Sequence, residues 1–381
     1  MKEKVTVFCY TDVHNQQALL DYPAKVRKSL YLACELAEKE FGKADLAIMG
    51  GDNVSDYPHW DRSCALPKKN FLDLKEKMVK AVADSTVDGK ALYVAGNNDM
   101  ILGDIGGEDW KPYNTTEFYY TGPMIEKLGE LPESEKYEVT SVEKPWEYPY
   151  LDAFHYVIEG YDFVGINIDP NTAYNTHDGY YTDETLDWVK KKLDEIDPDG
   201  VKPVFVVGHL SAQCYTNGEW IECMCERSVK KFYETLDGHK NLFYLYGHNH
   251  GEGYVYRDYS SGAVVHVGED GHTIDDNLAR TDSSSQPAYK YSLVHMGGLR
   301  PFNIKYFDDD GIDGYGGESE RKHFPYTANP KLSQYLVMEI YPDRVVFTVR
   351  NTGSYDGYSQ SDKPEPYTVF FQKVNNNRRD R

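Results

Sequence analysis

Five short polar clusters carry the side chains that could do chemistry: Asp12-Val13-His14, Gly51-Asp52-Asn53, Gly96-Asn97-Asn98-Asp99, Gly208-His209 and Gly247-His248-Asn249-His250. Almost every cluster follows a hydrophobic run that reads as a buried strand. That placement brings carboxylates, an amide and imidazoles to one edge of a sheet. Two divalent ions about 3.5–4 Å apart can clamp a phosphate and a nucleophilic water. Asp52 directly follows a strand in a Gly50-Gly51-Asp52 turn, which makes it the natural carboxylate to bridge two ions. Asp12 and His14 flank one residue, so both can point to the same side of an extended segment, and His248 and His250 share that spacing. Imidazole suits Zn, Fe, Co or Ni, while carboxylate and amide oxygens also suit Mn. Any one of these residues alone would more often be a cap, a turn or a surface group. Five such elements at strand ends point to metals.

The elements that must position them alternate. Residues 5–10, 44–49 and 91–95 read as strands; 23–41 and 71–82 read as helices, the first with Pro23 near its start and Gly42 just past its end. Residues 155–159 and 161–168 read as a hairpin around Gly160. A helix over 183–193, a strand over 203–207, a helix over 229–236 and a strand over 242–246 follow. This alternation predicts an α/β layered core. Later runs at 254–257, 263–267, 289–295, 335–340 and 345–350 are rich in aromatic and β-branched residues and read as strands. Residues 1–300 are expected to form the core, with an insertion or cap over 103–150 that could equally be a surface excursion. Residues 301–374 read as a mostly β extension packed on that core, with a loop over 308–320, and 375–381 as a polar tail.

Composition narrows the partners. The chain has 381 residues, enough for one large domain or two modest ones. With 62 acidic against 41 basic residues and no Lys/Arg block, its net charge of -21 disfavours duplex nucleic acid and anionic membranes as partners. A small phosphorylated substrate remains compatible, because a metal site accepts phosphate locally. Cys9 and Cys34 read as core thiols, and Cys214, Cys223 and Cys225 lack the paired spacing of a zinc knuckle. No apolar stretch approaches the roughly 18 residues of a membrane span. Asp12 interrupts the first apolar run too early for a secretory signal, so a cytoplasmic location is expected; a removed signal peptide would instead make the protein secreted or periplasmic.

The clusters resemble, in order, the motifs of the calcineurin-like metallophosphoesterase superfamily, over residues 4 to about 270. Gly165-Ile166-Asn167-Ile168-Asp169 and Gly179-Tyr180-Tyr181-Thr182 are similar to that family's strand and next helix start; Tyr341-Pro342-Asp343-Arg344-Val345-Val346 resembles its closing hairpin. The resemblance implies a four-layer fold, a central β-sandwich flanked by helices, with the site at the carboxyl ends of the strands. It implies two divalent metal ions, Mn, Fe or Zn. Asp12, His14, Asp52 and His250 would hold one ion; Asp52, Asn97, His209 and His248 would hold the other.

One departure matters. The family pattern Gly-Asn-His followed by an acid stands here as Gly96-Asn97-Asn98-Asp99. In the family that histidine contacts the phosphate and can protonate the leaving oxygen. Asn98 can still hydrogen-bond a phosphoryl oxygen but cannot act as an acid. The expected reaction is hydrolysis of a phosphate ester by a hydroxide bridging the metals, with a phosphodiester favoured because some diesterases of the superfamily also lack the histidine. Asn98 and His209 would orient the phosphate, and Asp99 would orient Asn98. His59 and His177, in loops after strands, are candidates to replace the missing acid, and Tyr57, Trp60 and Tyr174 are candidate pocket walls. The alternatives are a phosphomonoesterase acting on nucleotides or phosphoproteins, and a catalytically weak protein that binds metal and phosphate.

Overall fold

Strand β1 (Val5–Tyr10) is buried along its whole length, as is β2 (Leu46–Gly50). Strands covered on both faces read as continuous apolar runs rather than alternating ones, which is why these segments were legible in the sequence. The computed structural model describes residues 2–13, 22–53, 78–96, 135–137, 152–168, 181–210, 213–216, 219–222, 226–248, 264–266, 291–299, 334–352 and 366–371.

Two mixed sheets form the centre. In the first, β1, β2 and β3 (Ala91–Val94) run parallel, and β1 continues antiparallel into β13 (Gln334–Tyr341), β14 (Arg344–Asn351) and β15 (Tyr367–Phe370). In the second, β6 (Tyr161–Ile166), β7 (Val204–Val207), β10 (Leu242–Tyr246) and β12 (Ser292–His295) run parallel. Antiparallel strands β5 (Ala153–Ile158) and β4 (Glu135–Tyr137) extend that sheet on one side, and β11 (Val264–His266) closes it on the other. A separate hairpin pairs β8 (Gln213–Thr216) with β9 (Glu219–Glu222).

In-register residues of four adjacent strands of the second sheet build a row of stacked rings. Tyr156, Phe163, Phe205 and Phe243 follow one another at centroid spacings of 5.8, 5.1 and 5.4 Å. Phe243 then meets Phe347 of β14 at 5.7 Å, which joins the two sheets face to face. Each offset aromatic pair adds about 0.5–1.5 kcal/mol beyond its burial. Helices cover the outer faces. α1 (Tyr22–Phe41) lays Leu30, Ala33, Cys34 and Ala37, one stripe at helical spacing, against β1 and β13. Residues 78–84 are also helical, and bury Met78 and Val82. α2 (Asp183–Ile196) packs on β5 and β6 of the second sheet, and α3 (Glu226–Leu236) packs against α2 and meets β10 through Phe232 and Tyr244. Thr182 caps α2 by accepting the Thr185 N–H at 3.2 Å, and Asp183 and Glu184 suit the positive end of its dipole. The expected four-layer α/β sandwich is therefore present.

Several boundaries differ from the sequence reading. The second strand starts at Leu46, because Ala44 bridges instead to Thr86 and the Asp45 carboxylate accepts the Thr6 N–H at 2.8 Å. β4 lies within the 103–150 segment and joins the sheet edge through β5. β4, β8, β9 and β15 are short, and their patterning did not separate them from loops. The hairpin at Gly160 is as expected: Glu159 and Gly160 have φ of 52° and 88°, the two left-handed positions of a two-residue type I′ connection. Residues 254–257, 308–320 and 375–381 lie outside the described residues. Cys9 and Cys34 are buried free thiols. No described helix is long and apolar enough to cross a membrane.

Candidate metal centre

The parallel strands of both sheets end at one edge, and the polar residues follow their carboxyl ends. Asp12 comes after β1, Asp52 after β2, His209 after β7 and His248 after β10. Three of these residues have left-handed backbones, with φ of 51° at Asp12, 49° at Asp52 and 73° at His248. Such conformations are uncommon outside glycine, cost of order 1–3 kcal/mol each, and persist where the surroundings enforce them. Here the enforcement is visible. Asp12 N–H donates to Gly51 O at 3.0 Å, and Gly247 N–H donates to His209 O at 3.0 Å. His248 N–H points at the Asp12 carboxylate, 3.1 and 3.2 Å from its two oxygens. The Thr11 hydroxyl lies 3.0 Å from Asp12 Oδ2 and 3.1 Å from Gly50 O. Ala95 N–H donates to Asn167 Oδ1 at 2.8 Å, a bond that crosses from the end of β3 to the end of β6.

His209 is the best-defined candidate ligand. Its Nδ1 lies 2.8 Å from Gly50 O. A carbonyl oxygen can only accept, so Nδ1 carries a proton, and Nε2 is the ring nitrogen that could exchange its own proton for a cation. Nε2 is buried, makes no hydrogen bond among the described residues, and faces Asp52 Oδ2 at 3.3 Å. Metal-bound histidines characteristically donate their other ring N–H to a carbonyl or carboxylate in this way. The His248 ring stands nearly perpendicular to that of His209, with centroids 5.3 Å apart. One donor atom each from Asp52, His209 and His248 fall within 4.8 Å of one another. Asp52 and His209 are buried, while His248 is half-buried, so the group opens toward solvent on one side.

The electrostatics fit a cation. Burial pushes the Asp12 carboxyl up to about 8, with His209 opposing that rise and Asp52 adding to it. Burial works against charge on His209, but the carboxylates of Asp52 and Asp12 outweigh it and raise the imidazole to about 9. Two buried carboxylates are costly unless positive charge accompanies them. A proton on His209 can supply it, and so can a divalent ion taking the same nitrogen. One carboxylate oxygen and two imidazole nitrogens are a donor set suited to Zn, Fe or Mn.

Of the residues singled out in the sequence, Asp12, Asp52, His209 and His248 come together here. His14, Asn97, Asn98, Asp99 and His250 lie outside the described residues, as do His59, His177, Tyr57, Trp60 and Tyr174. Thr11 and Tyr181 were not singled out for a role at the site. Asn167 could have been, since an amide inside an otherwise apolar run signals a buried hydrogen bond.

No protein-family model and no curated protein matches the chain. Among solved structures, a predicted phosphoesterase from Streptococcus pneumoniae is 10% identical, covers 97% of this chain and 99% of its own, and has a TM-score of 0.33. GAP50, the anchor in the inner membrane complex of Plasmodium, is 11% identical over 98% of this chain and 90% of its own, with a TM-score of 0.44. A mutant of Vps29 from Entamoeba histolytica is 9% identical over 97% and 100%, with a TM-score of 0.29. The fold type follows from the sheets and the triad, not from these overlaps. Two mixed sheets whose parallel strands deliver Asp52, His209 and His248 to one shared edge give this chain a fold of the calcineurin-like metallophosphoesterase type, with a partial metal-binding triad.

Proposed function

We propose that the protein binds a phosphorylated ligand through a divalent cation held by Asp52, His209 and His248, and that it hydrolyses that ligand weakly. The observation that supports the cation is the buried His209 Nε2, which makes no hydrogen bond among the described residues and faces Asp52 Oδ2 at 3.3 Å while Nδ1 is committed to Gly50 O. A divalent ion bound there would polarise a phosphoryl oxygen and offset its charge. The weakness comes from Asn98. An amide at that point of the motif donates a hydrogen bond but no proton, and lost general-acid catalysis typically costs about 10²–10⁴-fold. Asp99 would orient the Asn98 amide.

A second reading is supported by Asp12. Its buried carboxylate beside the triad, held by the His248 N–H, is where a second ion would be liganded. In that reading Asp12, His14, Asp52 and His250 hold one ion, Asp52, Asn97, His209 and His248 hold the other, and the protein is a phosphodiesterase. A substitute acid at His59 or His177 would make it a phosphomonoesterase.

Metal-reconstituted protein, loaded in turn with Mn²⁺, Zn²⁺ and Fe²⁺, tests both readings on an aryl phosphomonoester and its matched diester. Bound metal with tight phosphate binding and little turnover is the expected result. Brisk hydrolysis of the diester with two ions bound would replace it with the second reading. Replacing Asp52 with Asn should strip the metal in either case; full retention of the metal would remove Asp52 from the site.

A further inference from the structure

His209 is held at every polar atom except Nε2, and its backbone N–H is held by a pair of tyrosines outside the candidate metal ligands. Tyr181 immediately precedes the Thr182 cap of α2, and Tyr244 lies in the middle of β10. Both are fully buried. The Tyr181 oxygen is 3.1 Å from His209 N and 3.2 Å from Leu210 N, and it accepts both N–H groups. With both acceptor sites used, its own proton goes to the Tyr244 oxygen 2.8 Å away, and Tyr244 O–H donates to Leu210 O at 2.7 Å. Each hydrogen of the pair has a defined destination. Phe232 of α3 packs on both rings, with centroids 5.9 Å from Tyr181 and 4.8 Å from Tyr244. A Cβ at position 208 would fall on the two hydroxyls, so the glycine before the ligand leaves room for them.

We infer that the hydrogen-bonded Tyr181–Tyr244 pair is a positioning device for the cation site, fixing the backbone of His209 so that Nε2 faces Asp52. This rests on the reading of His209 as a ligand. The remaining polar atoms of His209 are fixed from elsewhere: its carbonyl by Gly247 N–H and Nδ1 by Gly50 O. The tyrosines therefore join α2, α3 and β10 to one ligand while making no contact with a cation themselves.

The full-length protein with Tyr181→Phe, Tyr244→Phe or Tyr156→Phe would be titrated with Zn²⁺ by calorimetry beside the wild type. Tyr156 is the control, buried in the ring stack with a hydroxyl that makes no hydrogen bond among the described residues. Removing a partner that orients a metal ligand typically weakens affinity about 10–100-fold; that loss is expected for Tyr181→Phe, with Tyr156→Phe unchanged. Wild-type affinity in Tyr181→Phe would overturn the inference. Should that variant not fold, Tyr244→Phe carries the test, because it removes the acceptor of the Tyr181 proton and the donor to Leu210. Should the wild type take up no Zn²⁺, the proposed function fails, and the pair is judged in metal-free protein by amide exchange at His209 and Leu210. Loss of a buried acceptor should then speed exchange on the order of tenfold, and unchanged protection would dismiss the pair.

Discussion

Replacing Gly96 with Ala tests the site without replacing any candidate ligand residue. A Cβ built at this position falls on both the backbone nitrogen and Oδ1 of Asp52 and lies 2.9 Å from its Cγ. Non-bonded carbon atoms rest about 3.5–4.0 Å apart, so the Asp52 carboxylate would have to retreat by on the order of 1 Å. Metal–ligand bonds tolerate only about 0.2 Å. The substitution should therefore cost about 1–3 kcal/mol of metal-free stability through overpacking and should also remove a ligand. The second effect is the diagnostic one. At a metal concentration 100 times Kd, binding stabilises a protein by RT ln(1 + 100), about 2.7 kcal/mol. If the lost ligand weakens affinity about 100-fold, the gain shrinks to RT ln 2, about 0.4 kcal/mol. Urea unfolding with and without Zn²⁺, on wild type and Gly96→Ala, reads both quantities. A variant that loses stability when metal-free yet keeps the whole metal-dependent gain would refute Asp52 as a ligand.

The remaining predictions address the reaction, its pH dependence and the core. Asn98→His should raise hydrolysis of esters with poor leaving groups, measured on alkyl against aryl phosphates; equal rates would mean position 98 is not where the leaving oxygen is protonated. In the metal-free protein His209 is held protonated up to about 9, so an incoming ion must displace that proton. Affinity should accordingly rise about tenfold per unit between roughly pH 6 and 8 and level off near 9, and a flat titration over that range would remove His209 from the ligand set. Phe205→Ala removes the ring between Phe163 and Phe243 in the sandwich core and should cost about 3–5 kcal/mol in urea unfolding; a loss under about 1 kcal/mol would mean that the ring row does not carry the packing.

How much of this was legible depends on what signals a residue type can carry. Asp52, His209 and His248 could be found because each follows a buried apolar run, and a polar residue after such a run marks a strand end facing a site. Which strands would be neighbours could not be read. β13 pairs with β1 across more than three hundred residues, and its sequence is compatible with any antiparallel partner. The tyrosine pair was hidden for a different reason. Tyr181 and Tyr244 act on backbone groups, and no residue type in a partner strand announces a free N–H. The register of the two sheets also decides something the motifs do not show. Asp12 and Asp52 belong to one sheet, and His209 and His248 to the other. The bonds that bring them together, His209 Nδ1–H to Gly50 O and His248 N–H to Asp12, cross that seam. The ligand set is complete only while the sandwich is closed. On the proposed reading, metal binding and closure of the sandwich are linked equilibria: a cation that binds only the closed form would stabilise it by mass action. Loosening the seam far from the candidate ligands would then weaken the metal in turn.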